Sequence, residues 1–173
     1  MLERFCSRCG TALEAWNDHG TTRGRCPVCG YVAYENAKPT AGVLITCGRS
    51  VLLGQRAIEP YKGMWDIVGG FLEAGEHPED GARREAREET GLDITLGPLI
   101  SIGMGQYTAG DWTLNLYYVA HTWSGIPQAN DDVAVLRWFD ADALPAEIAF
   151  PEPQQQVLRD WRRWLDEFLS DHP

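Results

Sequence analysis

From residue 40 onward the apolar positions bunch into short runs, and glycines, prolines and charged clusters separate the runs. Ala41 to Thr46 (AGVLIT) and Ser50 to Arg56 (SVLLGQR) read as strands, with Cys47-Gly48-Arg49 as a hairpin turn between them. A loop follows around Glu59 to Gly63, and Trp65 to Val68 reads as a short strand ending at Gly69-Gly70. The pattern then becomes helical. Pro78 suits a first helical position and Gly91 a C-terminal stop, whereas His77 is a weaker cap than serine or threonine. Further strand-like stretches lie near 94–106, 112–122 and 133–139. The segment from Gln154 to Leu169 places Val157, Leu158, Trp161, Trp164, Leu165 and Phe168 on one helical face, a stripe expected to pack in the core. Residues 40–173 thus read as one mixed α/β domain. Residues 1–35 form a separate cysteine-bearing segment, and Glu35 to Pro39 reads as the linker.

Composition narrows the reading. The 173 residues are 44% hydrophobic and 23% charged, with a net charge of −10 at pH 7. That balance argues against a general nucleic-acid surface, which would need a basic face. No apolar run reaches the ~20 residues of a membrane helix, and MLERFCSRCG lacks the pattern of a secretory signal, so the expectation is a cytoplasmic protein. An odd count of five cysteines speaks against a disulfide framework.

The charges that remain unusual lie between Gly70 and Leu92. Glu85, Glu88 and Glu89 stand at i, i+3 and i+4, so a helix gathers them on one face. Like charges at such spacing oppose helix formation by about 0.2–0.5 kcal/mol a pair. A hard divalent cation would offset this, since Mg²⁺ takes carboxylate oxygens and keeps waters that phosphates can replace. With Gly70, Glu76, Arg84 and Gly91 at their spacings, the stretch resembles the Nudix box, and the likeness extends from about residue 40 to 156.

The resemblance implies an α/β/α sandwich around a mixed sheet. It also implies metal-dependent hydrolysis of a nucleoside diphosphate linked to another group, X, giving a mononucleotide and phosphoryl-X. By position it makes Glu85, Glu88 and Glu89 ligands of Mg²⁺ or Mn²⁺, with the carbonyl of Gly69 or Gly70 as a further ligand. Arg84 would orient the glutamates, and Glu76 would partner Arg84. The general base is either a box glutamate or a later acid, for which Asp131 and Asp132 are candidates; the bland reading of those two is a turn. Where relatives often have proline before the double glycine, this chain has Val68.

Cys6-x-x-Cys9 and Cys26-x-x-Cys29 suit a closed tetrahedral zinc site with no position open to substrate. Gly10 and Gly30 after each pair resemble a zinc ribbon. His19 reads as a surface histidine, and Cys47 is left over. Ribbon plus box resembles NADH pyrophosphatases and the ADP-ribose or FAD pyrophosphatases. The stretch Ser101 to Tyr107 lacks the signature of the NADH enzymes, and Tyr107-Thr108 lacks the proline frequent in ADP-ribose enzymes. A tyrosine there also resembles dinucleoside polyphosphate hydrolases. Tyr61, Trp65, Tyr107, Trp112 and Tyr117 are the candidates for stacking a base. The expected partner is a small nucleotide, with no nucleic acid and no membrane, and the resemblance is compatible with a homodimer. A catalytically silent Nudix binding module and a zinc-ribbon nucleic-acid binder are the competing classes.

Overall fold

The computed structural model describes residues 3–171 and divides after Ala37 into two compact units. In the first, β1 (Glu14–Asp18), β2 (Thr21–Arg25) and β3 (Val32–Ala33) form an antiparallel sheet in that order. Its cysteine pairs lie in two matching turns. Gly10 N–H donates to Cys6 O at 2.8 Å and Gly30 N–H to Cys26 O at 3.1 Å, both glycines having φ of 73°. Cys6, Cys26 and Ala33 are its buried apolar residues among those described.

The second unit contains β4 (Lys38–Cys47), β5 (Ser50–Arg56), β6 (Trp65–Phe71), α1 (Pro78–Thr90), β7 (Asp93–Thr95), β8 (Leu99–Thr108), β9 (Asp111–Ala120), β10 (Thr122–Ser124), β11 (Val133–Asp140) and α2 (Pro151–Asp171). Six strands form one mixed sheet in the order β11-β5-β6-β4-β9-β8, with β4 and β9 parallel. β7 and β10 form a small antiparallel pair.

The unbroken apolar run of β4 follows from burial on both faces of this sheet. Val43 and Ile45 pack with Ala86 of α1 and with Leu92, whereas Leu44 packs with Val157, Leu158, Trp161 and Leu165 of α2. The layers are therefore helix, sheet, helix, as expected. Each fully buried side chain of this kind contributes about 1.5–3 kcal/mol. Trp161 is wholly buried yet satisfied, because its Nε1–H donates to Thr46 Oγ1 at 3.0 Å.

Several boundaries differ from the sequence reading. β4 starts at Lys38, inside the expected linker, because Lys38 and Pro39 pair with Thr113 and Leu114 of β9. The β4–β5 hairpin is only two rungs deep, Thr46 with Val51 and Cys47 with Ser50, because β6 enters between the two strands. β6 does not end at the double glycine: Gly69 and Gly70 pair with Gly42 and Ala41. The 94–106 stretch is split at Gly97-Pro98 into β7 and β8. α2 begins at Pro151, since a first helical turn tolerates proline.

Candidate active site

α1 forms where its local signals place it. His77 caps better than expected, with Nδ1 accepting from Glu79 N–H at 3.3 Å. Glu79 and Asp80 lie in the first turn, where the helix dipole favours acids. Gly91, at φ 70°, ends the helix by donating to Arg87 O.

Arg84 is the hub of this helix. Its Nε and Nη2 donate to Glu76 Oε1 and Oε2 at 2.8 and 2.9 Å, a two-pronged pair. Its Nη1 donates to Glu85 Oε1 at 2.7 Å and to Glu88 Oε2 at 2.8 Å. Nη2 also reaches Phe71 O at 3.1 Å, tying the helix to the end of β6. The Arg84 hydrogen bonds hold the Glu76 carboxyl down at about 2.

The three helix glutamates are not equivalent. The Glu88 side chain is 47% exposed, whereas Glu85 and Glu89 are buried. Burial raises the Glu85 carboxyl above its usual range. Glu89 is raised well above, first by burial and then by the nearby charge of Asp132. Glu89 Oε2 accepts from Gly69 N–H at 3.0 Å, so the helix is hydrogen-bonded to the double glycine. A Cβ at Gly70 would lie 2.5 Å from Glu85 Oε1, and one at Gly69 would lie 2.4 Å from Ala41 O. Gly70 thus leaves room for the Glu85 carboxylate against β6, and Gly69 for the backbone of β4.

Asp132 lines a small cavity with Arg56, Asp66 and Glu89, and Asp131 takes a left-handed turn at φ 52°. The turn reading thus fits both aspartates, since Val133 N–H donates to Asn130 O at 3.1 Å across them, and Asp132 also lies beside Glu89. A larger cleft, partly open to solvent, runs past Gly69, Gly70 and Phe71. It is lined by Tyr107, Phe150, Asn115 and Gln154 among others.

The stacking candidates separate clearly. Tyr107 lines the cleft, and Tyr117 does so from a buried position. Trp65 does not: it is 8% exposed and packs edge-on against Phe139 in the core, so its candidacy is corrected. Tyr61 and Trp112 are also absent from the lining; Tyr61 packs edge-on against Phe150. Phe71, Phe150, Asp66 and Gln154 were missed. An acid inside the strand Trp65 to Val68 was the available signal for Asp66.

In the other unit, the Sγ atoms of Cys6, Cys9, Cys26 and Cys29 all lie within 4.8 Å of one another. Separations of 3.5, 3.6 and 3.7 Å are close to the edge of a tetrahedron with ~2.3 Å metal–sulfur bonds. The Thr11 hydroxyl, 3.4 Å from Cys9 Sγ, brings that thiol down to about 6 and favours the thiolate. His19 is far more exposed than any ligand would be, with its side chain 100% accessible.

A helix–sheet–helix fold with an arginine-bound carboxylate helix beside an aromatic cleft defines the class of protein. Residues 36–165 match the NUDIX domain, and the chain belongs to that family. It is 36% identical over 169 residues to the NAD-capped RNA hydrolase NudC of Pseudomonas aeruginosa, covering 96% of this chain and 56% of that relative. It therefore spans about half the length of the curated relatives of that name. It is 30% identical over 139 residues to an ADP-ribose pyrophosphatase of Methanocaldococcus jannaschii, covering 78% of each. The crystal structure of a NUDIX hydrolase from Nitrosomonas europaea superposes with a TM-score of 0.81 at 26% identity, covering 99% of this chain and 95% of that one. Among the described residues, no helix is long and apolar enough to cross a membrane.

Proposed function

We propose that this chain is a divalent-metal-dependent pyrophosphohydrolase. It cleaves a nucleoside diphosphate linked to X into a mononucleotide and phosphoryl-X, with ADP-ribose, NADH and FAD as the nearest substrate class. The observation that carries this reading is the arrangement around Arg84, which engages one oxygen each of Glu85 and Glu88 while Gly69 N–H engages one of Glu89. The second oxygen of each carboxylate remains for Mg²⁺ or Mn²⁺, and the donor set is the all-oxygen kind such ions take. Burial and mutual repulsion at Glu85 and Glu89 are relieved by a cation.

Bound there, the metal would neutralise diphosphate charge and lower the pKa of a water. The chain's own part is positioning. Glu85, Glu88 and Glu89 would hold the ion with a carbonyl of Gly69 or Gly70, Arg84 would fix the carboxylates, and Glu76 would fix Arg84. Glu89 and Asp132, which line one cavity, are the two candidates for the proton acceptor. The four cysteines fit a structural Zn²⁺ with every ligand position filled by sulfur.

Thiolates stay reduced in the cytoplasm, and cytoplasmic residence belongs to the same proposal. So does a homodimer, which sedimentation equilibrium tests. A substrate panel with Mg²⁺ and with Mn²⁺ tests the reaction by measuring the released mononucleotide. It should include ADP-ribose, NADH, FAD and an NAD-capped RNA, the last because of the name of the P. aeruginosa relative. Release from a small nucleotide is the expected result; no release from any member would defeat the reading.

A further inference from the structure

The cleft holds polar side chains that hydrolysis itself leaves unused. Asp66 Oδ2 accepts from Arg56 Nη1 at 2.7 Å, and Asp66 Oδ1 accepts from the Gln154 amide. Burial raises the Asp66 carboxyl, but the Arg56 guanidinium against it favours the ionised form, which only accepts; this contact then sets the amide with Nε2 toward Asp66 and Oε1 away from it. Gln154 is 3% exposed, yet its Oε1 has no hydrogen-bond partner. Arg56 Nη2 makes no hydrogen bond of good geometry either, the Tyr107 hydroxyl acting on that guanidinium only weakly from beside it. Buried polar atoms are paired in the great majority of cases, and leaving them unpaired is costly. A free acceptor and a free donor, both on residues lining one cleft, point to a ligand that completes them.

The same cleft has an aromatic wall. The Phe71 and Tyr107 rings meet edge-on at 5.3 Å, and Tyr107 lies nearly parallel to Phe150 at 5.8 Å and 26°. All three line the cleft, and such faces stack flat rings. Gly105 keeps the space open, since a Cβ there would come within 3.0 Å of Asn115. A ring that stacks here and also satisfies Arg56 Nη2 and Gln154 Oε1 must present an acceptor beside an amino group. Adenine does so with N7 and its 6-amino group, and a nicotinamide carboxamide does so with its oxygen and NH₂. Cytosine (N3 and its 4-amino group) and the N3 edge of guanine share the pattern but lie outside the substrate class proposed above, and guanine's N7–O6 edge, with two acceptors, would set oxygen against Gln154 Oε1.

We propose that Gln154 Oε1 and Arg56 Nη2 form the reading edge of a ring subsite, selecting a flat heteroaromatic group with an acceptor next to an amino group. The ring is the adenine base or the nicotinamide. Asp66 is a positioning residue that holds both readers. This deepens, and rests on, the reading of the chain as a hydrolase of nucleoside diphosphate derivatives.

Calorimetry on the full chain without divalent metal tests it with two matched pairs. AMP is compared with IMP, whose carbonyl replaces the amino group, and nicotinamide mononucleotide with its nicotinic acid counterpart. The amino-bearing member should bind about tenfold more tightly in at least one pair, and that pair identifies the ring. In Gln154→Leu, with folding checked by circular dichroism, the same pair should converge to within about twofold. Equal affinities in both pairs of the wild type would overturn the proposal without any variant. So would binding of none of the four, or an undiminished preference in folded Gln154→Leu. These readings do not need turnover. A preference for AMP with no hydrolysis of the panel rejects the reaction and keeps the subsite, and hydrolysis without preference does the reverse.

Discussion

The chain carries two acidic or thiolate clusters suited to metal, and they are built in opposite ways. The cysteine unit brings its four sulfurs within 4.8 Å of one another around a very small apolar interior. The glutamate helix instead stands on a full helix–sheet–helix core, with Glu85 and Glu88 held by Arg84 and Glu89 by Gly69 N–H. In the first, a metal would supply the stability that packing cannot. In the second, packing supplies the stability, and a metal bound there would leave room for a further ligand. A cluster closed on itself serves structure, and one held open by an internal cation is available for chemistry.

The comparison breaks most visibly if metal is withdrawn. Structural zinc contributes an apparent ~10–16 kcal/mol in small zinc domains. Strong chelation, or Cys26→Ser, should therefore unfold the first unit while α1 and α2 persist. Limited proteolysis with metal analysis reads this as cleavage confined to the region before Lys38 and loss of one zinc per chain. A chelated first unit as resistant as the untreated one would remove the asymmetry.

The next effect is on turnover alone. Glu88→Gln and Glu89→Gln should each lower kcat about a thousandfold or more, with the melting temperature nearly unchanged. Undiminished activity in both would sink the metal assignment.

The smallest effect concerns the Arg84–Glu76 pair. The Glu76 carboxyl is depressed to about 2 by Arg84, against ~4.3 for a free glutamate. Its stabilisation is thus full above the unfolded value and is lost as pH falls through about 2. Wild type should melt above Glu76→Gln at pH 6, and the gap should narrow below pH 4 and close near the folded value. A gap that does not depend on pH would mean that the charge pair contributes nothing.

What the sequence disclosed follows the range of the interactions. α1 was legible because its proline start, its glycine stop and its glutamate spacing are local. The apolar stripe of α2 was legible for the same reason, and Val157, Leu158, Trp161 and Leu165 are indeed core. The passage of β6 through Gly69-Gly70 was not legible, because only pairing with β4 explains it. Trp65 entered as a base-stacking candidate since composition marks aromatics without saying which way they face. Asp66 and Gln154 escaped notice because 88 residues separate them, and their partnership exists only once the sheet and α2 meet.

The division of labour around the cleft has a further consequence. The carboxylates come from α1, whereas Tyr107 belongs to β8, and Phe150 and Gln154 sit at or just before the start of α2. Those distant positions can drift through mutation while the carboxylate end stays as it is. A lineage built on this scaffold can keep its carboxylate cluster unchanged and come to hold different ligands by altering a few residues outside the signature that identifies it.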